Sequence, residues 1–352
     1  MDLSALGWSQ YFQTQHNALY PSKQAGRVSA EFREGYRVIT AEGEFEAKID
    51  GKLRHAAQTR EDYPAVGDWV ACSHATTTTL LIHGVLPRKT CVARRAAGKA
   101  TVGQIIGANV DTMFLVSALD EEFNLRRIER YVALARDSAT RPVIVLNKAD
   151  VCADVTEKLA SLSALARELP VHVITARHAD GVEALLPYLL AGQTIALVGS
   201  SGVGKSTIVN ALAGREIMDT GAVRVSDSRG RHTTTHRCLL PLQHGALLLD
   251  TPGMRELHLW AHDDSLGEAF ADIQTLAQRC RFRDCEHAGE PGCAVRAALG
   301  AELDPARLAN YVKLQRELAF VERKTDERAQ AAEKQRWKAI HKQASQQTKH
   351  PH

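Results

Sequence analysis

Eight residues, Gly199-Ser200-Ser201-Gly202-Val203-Gly204-Lys205-Ser206, limit what this chain can fold into more than any other stretch. They follow the apolar run Thr194-Ile195-Ala196-Leu197-Val198 and lead through Thr207 into a helix-favouring segment. Glycines in this pattern let backbone amides close around phosphate oxygens. A helix that begins near Lys205 adds the positive end of its dipole at the same point. Lys205 is expected to reach the β and γ phosphates of a nucleotide, and the Ser206 hydroxyl to hold Mg2+.

Similar apolar runs recur at Val110-Asp111-Thr112-Met113-Phe114-Leu115-Val116, Val143-Ile144-Val145-Leu146, Val171-His172-Val173-Ile174 and Ala246-Leu247-Leu248-Leu249, most of them separated by helix-length segments. Strands alternating with helices imply a mostly parallel sheet covered on both faces, whose ligands bind at the carboxyl ends of the strands. Those ends carry polar residues here. Asn147-Lys148-Ala149-Asp150 follows one run, and its terminal carboxylate can accept both hydrogens of the guanine N1 and exocyclic amine. Adenine presents no such donor pair and would leave a buried acceptor unpaired. Thr175-Ala176 follows another and offers a backbone amide to the guanine O6. Asp250-Thr251-Pro252-Gly253 follows a third, with a carboxylate suited to contact Mg2+ through water and a glycine amide, Gly253, suited to the γ-phosphate.

Taken singly, each tetrapeptide is an ordinary cap or turn. Together they describe one GTP site, but in a rotated order, because the guanine half precedes the phosphate half. A sheet depends on which strands are neighbours and tolerates a different cut in the chain. The rotation also puts the Asp250 switch directly before the C-terminal part of the sequence.

Between phosphate loop and Asp250 lies Ser226-Asp227-Ser228-Arg229-Gly230-Arg231-His232-Thr233-Thr234-Thr235, a polar stretch that reads as a first switch. Among its threonines Thr234 is the expected Mg2+ ligand. Met254 stands where Ras-like proteins carry a water-orienting glutamine, which leaves His232 as the candidate water-positioner or base.

Cys280-x4-Cys285-x-His287-x5-Cys293 supplies three soft sulfurs and one imidazole within a short span, the donor set of one structural Zn2+ site with no open position. The odd total of seven cysteines argues against a disulfide framework, and Cys72, Cys91, Cys152 and Cys238 read as small core residues. No apolar run approaches the roughly 18 residues of a membrane span. The polar, acidic first twenty residues lack the pattern of an export signal, so a cytoplasmic protein is expected. A chain of 352 residues suggests two or three domains. Short, closely spaced strands between Gly35 and about Thr90 form a barrel or a sandwich in this reading.

The rotated motifs, the preceding β module and the Cys-x4-Cys-x-His-x5-Cys cluster together resemble the RsgA (YjeQ) family of small-ribosomal-subunit-dependent GTPases. Gly67-Asp68-Trp69-Val70, Ala108-Asn109-Val110-Asp111 and Gly230-Arg231-His232-Thr233-Thr234 add to the likeness, which covers nearly the whole chain. The resemblance implies an α/β P-loop GTPase domain, circularly permuted, with an N-terminal β-barrel of the OB-fold and a C-terminal α-helical zinc-binding domain. The expected divisions are residues 1–98, 99–258 and 259–352. It further implies a protein that acts in late 30S maturation, binds 16S rRNA and is stimulated by the subunit, and nothing in the sequence suggests more than a monomer. Tyr36, Phe45, Tyr63 and Trp69, with Arg37, Lys48, Lys52, Arg54, Arg88, Lys89, Arg94 and Arg95, are the candidate rRNA contacts of the β module. The tail, free of acidic residues after Glu333, is a candidate phosphate-binding arm. Rival readings are a GTPase serving tRNA or a membrane-associated partner, and an RNA-binding module whose nucleotide only regulates affinity.

Overall fold

A computed structural model describes residues 2–95, 103–178, 181–218, 237–250, 266–267, 269–317 and 319. These fall into two units, the first within Met1–Ala96 and Val102–Trp260, the second within Ala261–His352.

In the first unit, β1 (Gln24–Glu31), β2 (Tyr36–Thr40), β3 (Gly43–Ile49), β4 (Trp69–His74) and β5 (Thr79–Val85) pair in the order β1-β2-β3-β5-β4, and β4 returns to β1. The β module is therefore a closed barrel and not a sandwich. Alternation explains the closure. Tyr36 and Val38 point inward to join Val28, Ala47, Val70, Leu80 and Ile82, while Arg37 between them is exposed.

Two further strands, β6 (Cys91–Arg95) and β7 (Gly103–Ala108), form an antiparallel pair that leads into the nucleotide-binding sheet. That sheet comprises β8 (Thr112–Ala118), β9 (Arg141–Asn147), β10 (Val171–Val173), β11 (Thr194–Val198), β12 (Arg237–Pro241) and β13 (Leu247–Asp250), in the order β10-β9-β8-β11-β13-β12. All pairings are parallel except β12 with β13. β8 and β11 are buried at every position, as strands covered on both faces must be. Helix Leu125–Asp137, capped by the Asn124 side chain on the Arg127 amide at 3.0 Å, turns Ile128, Tyr131, Val132 and Ala135 towards the core.

β12 also pairs with β1, through Ala30 with Cys238 and Glu31 with Arg237, so one sheet runs from the nucleotide-binding strands into the barrel. Arg237 strengthens the join, donating from Nη1 to Glu31 Oε2 at 3.1 Å and to the Ile105 carbonyl at 2.9 Å. The first twenty residues, which carry no clear sequence signal, form a 3-10 turn at Leu3–Leu6 and a helix at Gln10–Leu19. Leu6 and Phe12 bury themselves with Trp69 and Leu86 of the barrel side and Leu247 of β13.

The Gly67-Asp68-Trp69 segment is the hub of that junction. Gly67 has φ +91, and a Cβ there would lie 2.1 Å from the Ala108 carbonyl, so only glycine fits. Asp68 is fully buried and accepts from the Ala65 amide and from Arg88 Nε and Nη2, each at 2.8 Å. Trp69 is 0% exposed, with its ring 4.7 Å from that of Trp8. Trp69 and Tyr36 are thus core residues, and Arg88 spends its guanidinium on Asp68, which removes all three from the expected rRNA contacts.

In the second unit, helix Ala271–Ala277 packs on the short helix Ala294–Ala297, and residues 305–317 are helical. Arg307 joins two of these helices, donating to Asp272 at 2.7 and 2.8 Å, and lies 4.6 Å over the Phe270 ring. No helix of the described residues is long and apolar enough to cross a membrane.

Candidate nucleotide site and metal centre

The carboxyl ends of β8, β9, β11 and β13 meet on one side of the sheet and carry the polar residues singled out from the sequence. The loop after β11 turns through Gly202 and Gly204, with φ +83 and +95, into helix Lys205–Ala213. Glycine is required twice for contact as well as for φ. A Cβ on Gly204 would sit 2.2 Å from Asn147 Nδ2, and one on Gly199 would sit 2.4 Å from the Val116 carbonyl. Lys205 folds back over the loop, its Nζ donating to the Gly199 carbonyl at 2.7 Å and to the Ser200 carbonyl. Ser206 and Thr207 occupy the helix's first turn, half-buried, and Ser201 is exposed.

Asn147, 3% exposed at the end of β9, ties the two halves together. Its Nδ2 donates to the Val203 carbonyl in the phosphate loop at 2.9 Å, and its Oδ1 accepts from the Ala176 amide at 3.0 Å. One side chain therefore spans three segments, two of which come from opposite sides of the rotated cut. Lys148 is left-handed at φ 65 and donates from Nζ to Asp120 Oδ2 at 2.8 Å, while Asp150 is exposed. Ala149 and Thr175 line an open depression of about 470 Å3 with Ile174, His178 and Gly181. Its walls are residues after β9 and after β10. Asp250 stands half-buried at the end of β13. His232, Thr234 and Gly253, with Met254, lie outside the described residues.

Sequence reasoning missed two residues here. Asp120 follows β8 and pairs with Lys148, and the strand-end rule that found the other motifs would also have found it. Arg127, in the first turn of its helix, donates to the Ser200 hydroxyl at 2.5 Å, and nothing in its local sequence signals that contact.

In the second unit, the ligand atoms of Cys280, Cys285, His287 and Cys293 all lie within 4.8 Å of one another. Cys280 Sγ is 3.9 Å from Cys293 Sγ and 3.8 Å from His287 Nδ1, and Cys293 Sγ is 3.4 Å from His287 Nδ1. Tetrahedral ligands about 2.3 Å from a central ion stand about 3.8 Å apart, close to these separations, so the cluster could hold a metal ion. No disulfide competes, since all seven cysteines are free. Glu290 shapes the loop by accepting from the amides of Glu286, Ala288 and Gly289 at 3.1, 2.9 and 3.0 Å. Backbone N–H groups, its own and that of Gly289 foremost, hold its carboxyl down at about 2.

Residues 85–260 match the family model described as RsgA GTPase. The Small ribosomal subunit biogenesis GTPase RsgA of Opitutus terrae is 47% identical over 97% of this chain and 96% of its own length. The chain belongs to the RsgA GTPase family. A protein of the same name from Xylella fastidiosa is 48% identical over 86% of this chain and 87% of its own. Among solved structures, YjeQ from Thermotoga maritima superposes with a TM-score of 0.63 at 27% identity, covering 84% of this chain and 99% of that one. YloQ, a circularly permuted GTPase, superposes at 0.61 and 22% identity over 86% of this chain and 96% of its own, a likeness of fold. The expected architecture stands: a circularly permuted α/β P-loop GTPase preceded by a barrel and followed by a helical unit with a Cys/His cluster. As a member of the RsgA family the chain is a GTPase.

Proposed function

We propose that this chain hydrolyses GTP at the pocket joined by Asn147 and does so as an assembly factor of the 30S subunit. The observation that carries the reading is the Asn147 side chain, bonded at once to the phosphate loop and to the Ala176 amide, because it makes the guanine and phosphate halves one site. In this reading Asp150, Thr175 and Ala176 hold the base beside Lys148 and Ala149. The amides of residues 199–206 with Lys205 hold the phosphates, next to Thr207. Gly253 senses the γ-phosphate, and His232 positions the water that Met254 cannot. Mg2+ bound by Ser206 and Thr234, with Asp250 nearby, supplies charge neutralisation of the phosphates. Zn2+ held by Cys280, Cys285, His287 and Cys293 fixes the fold of the second unit.

In this reading the chain is a cytoplasmic monomer divided at 1–98, 99–258 and 259–352, with one RNA-binding module before the GTPase domain in sequence and one after it. Within the barrel, the exposed Arg37, Lys48, Lys52 and Arg54 are the basic residues assigned to 16S rRNA. Curated relatives carry small ribosomal subunit biogenesis in their names, which favours the 30S particle over tRNA or a membrane partner. GTP turnover measured alone, with 30S and with 50S particles tests this. The expected result is a severalfold rise with 30S alone. Equal stimulation by both particles, or none, would sink the assignment.

Asp150→Asn is expected to weaken GTP binding about tenfold to a hundredfold, the loss of hydrogen bonds to a charged acceptor worth ~1.5–3 kcal/mol. Xanthosine triphosphate, whose C2 carbonyl accepts from the new amide, is expected to bind the variant better than the wild type. Competition titration with a fluorescent GDP reads both, and unchanged base preference would remove Asp150 from the site.

A further inference from the structure

A second enclosed site lies at the opposite, amino-terminal end of the parallel strands, where the N-terminal segment, the barrel and the GTPase sheet meet. A cavity of about 200 Å3 is bounded there by Trp8 and Ser9 of the N-terminal segment, Arg27 and Trp69 of the barrel, and Lys89 and Asp111 of the chain leading to β8. It is a built feature. Gly7 and Gly192 let the N-terminal segment close tightly on the GTPase, since a Cβ on Gly7 would lie 2.5 Å from the Gly192 carbonyl and one on Gly192 2.6 Å from the Ser4 carbonyl.

The polar groups around this space are mismatched in one direction. Arg27, 2% exposed, donates from Nε to the Gly67 carbonyl at 3.2 Å, from Nη1 to the Leu6 carbonyl, and from Nη2 to the Asn109 carbonyl at 3.2 Å and Thr194 Oγ1 at 2.8 Å. Every one of these acceptors is uncharged. Among the described residues one Nη1 hydrogen is left over, and no carboxylate forms an ion pair with the guanidinium. The nearest carboxylates are already engaged, Asp68 by Arg88 and Asp111 Oδ2 by the Thr194 amide at 2.7 Å. Burial lowers Arg27 to about 10, against the weaker opposing pull of Asp111 and Asp68. Lys89 Nζ, 3.0 Å from Ser9 Oγ and 4.9 Å from the centre of the Phe12 ring, adds a second cation, so Arg27 and Lys89 outweigh Asp111 by one charge. The independent sign is Trp69. Its indole is 0% exposed, lines the cavity, and its Nε1 hydrogen has no acceptor among the described residues. Such an orphaned donor is destabilising unless something fills the space beside it.

We propose that this cavity binds a small oxyanion, a single phosphate or a small carboxylate, which accepts from Trp69 Nε1 and neutralises Arg27 and Lys89. An anion whose oxygens accept hydrogen bonds meets all three deficits. The volume suits phosphate or acetate and excludes a nucleotide. The bound anion would tie the N-terminal segment to both the barrel and the GTPase sheet.

Isothermal titration of the full chain with inorganic phosphate, and separately with acetate, tests the site. Binding of phosphate, acetate or both is expected in the wild type and in Lys205→Ala, which disables the nucleotide pocket. Trp69→Phe, which keeps an aromatic side chain but is smaller and lacks the indole N–H, should weaken it about tenfold. Lys89→Met changes an exposed side chain, so its fold is secure, and it should weaken binding comparably. Preference for phosphate or acetate identifies the source. Absence of binding, loss of binding in Lys205→Ala, or equal binding by wild type and Lys89→Met would each overturn the proposal.

Discussion

Lys205→Ala is expected to lower GTP turnover by about 10²–10³-fold, the scale seen when one preorganised donor to developing charge is removed. The structure explains why so much rests on one ammonium. Lys205 lies across its own loop, bonded to the Gly199 and Ser200 carbonyls, which places its positive charge at the loop. In the proposed site phosphate oxygens would meet that charge, and a methyl group at position 205 would remove it. Because charge on the transferred phosphoryl group shifts as it leaves, the loss should fall on kcat as well as on nucleotide affinity. Single-turnover hydrolysis, with and without 30S particles, is the measurement. A variant within about threefold of wild type would mean that catalysis does not use this loop.

Loss of the metal centre should act on folding. Cys293→Ser, or treatment with a strong zinc chelator, is expected to unfold the second unit while the first keeps its nucleotide affinity. The region from Cys280 to Cys293 contains no strand or helix among its described residues, only turns shaped by Glu290 and the four ligand atoms. Short loops of this kind gain their order from the ion, and binding to such sites is worth about 10–16 kcal/mol in apparent terms. Hydrogen exchange across residues 271–317 should rise to near unprotected rates on chelation, and one zinc per chain should be released. Retention of full protection without metal would make the cluster a set of ordinary thiols.

Much of this architecture was legible because chemistry concentrates at strand ends. Four apolar runs, two followed by polar tetrapeptides, one by Thr175-Ala176 and one by the glycine-rich loop, sufficed to bring the candidate nucleotide residues to one side of the sheet, since a parallel sheet leaves its ligands few other positions. The cysteine spacing sufficed for the metal cluster, because four soft donors within fourteen residues have few other uses. The barrel was half legible. Alternation revealed strands but not whether they closed, which depends on the pairing of β4 with β1 across more than forty residues. The aromatic residues misled for the same reason. Tyr36 and Trp69 look like stacking platforms in a list, and only tertiary packing buries them. Arg127 on Ser200 and the cavity beside Arg27 are contacts between distant segments, which no local pattern records.

The pairing of β12 with β1 bears on solubility as much as on shape. In an isolated nucleotide-binding sheet β12 would be an outer strand, its backbone open to pair with a second copy. Here the barrel lies along it, and the barrel itself has no free edge because it closes on β1. The sheet's other border is β10, only three residues long. A chain cut to remove its first ninety residues would therefore gain an adhesive strand where it now has a seam, and self-association would follow before any loss of catalysis could be read.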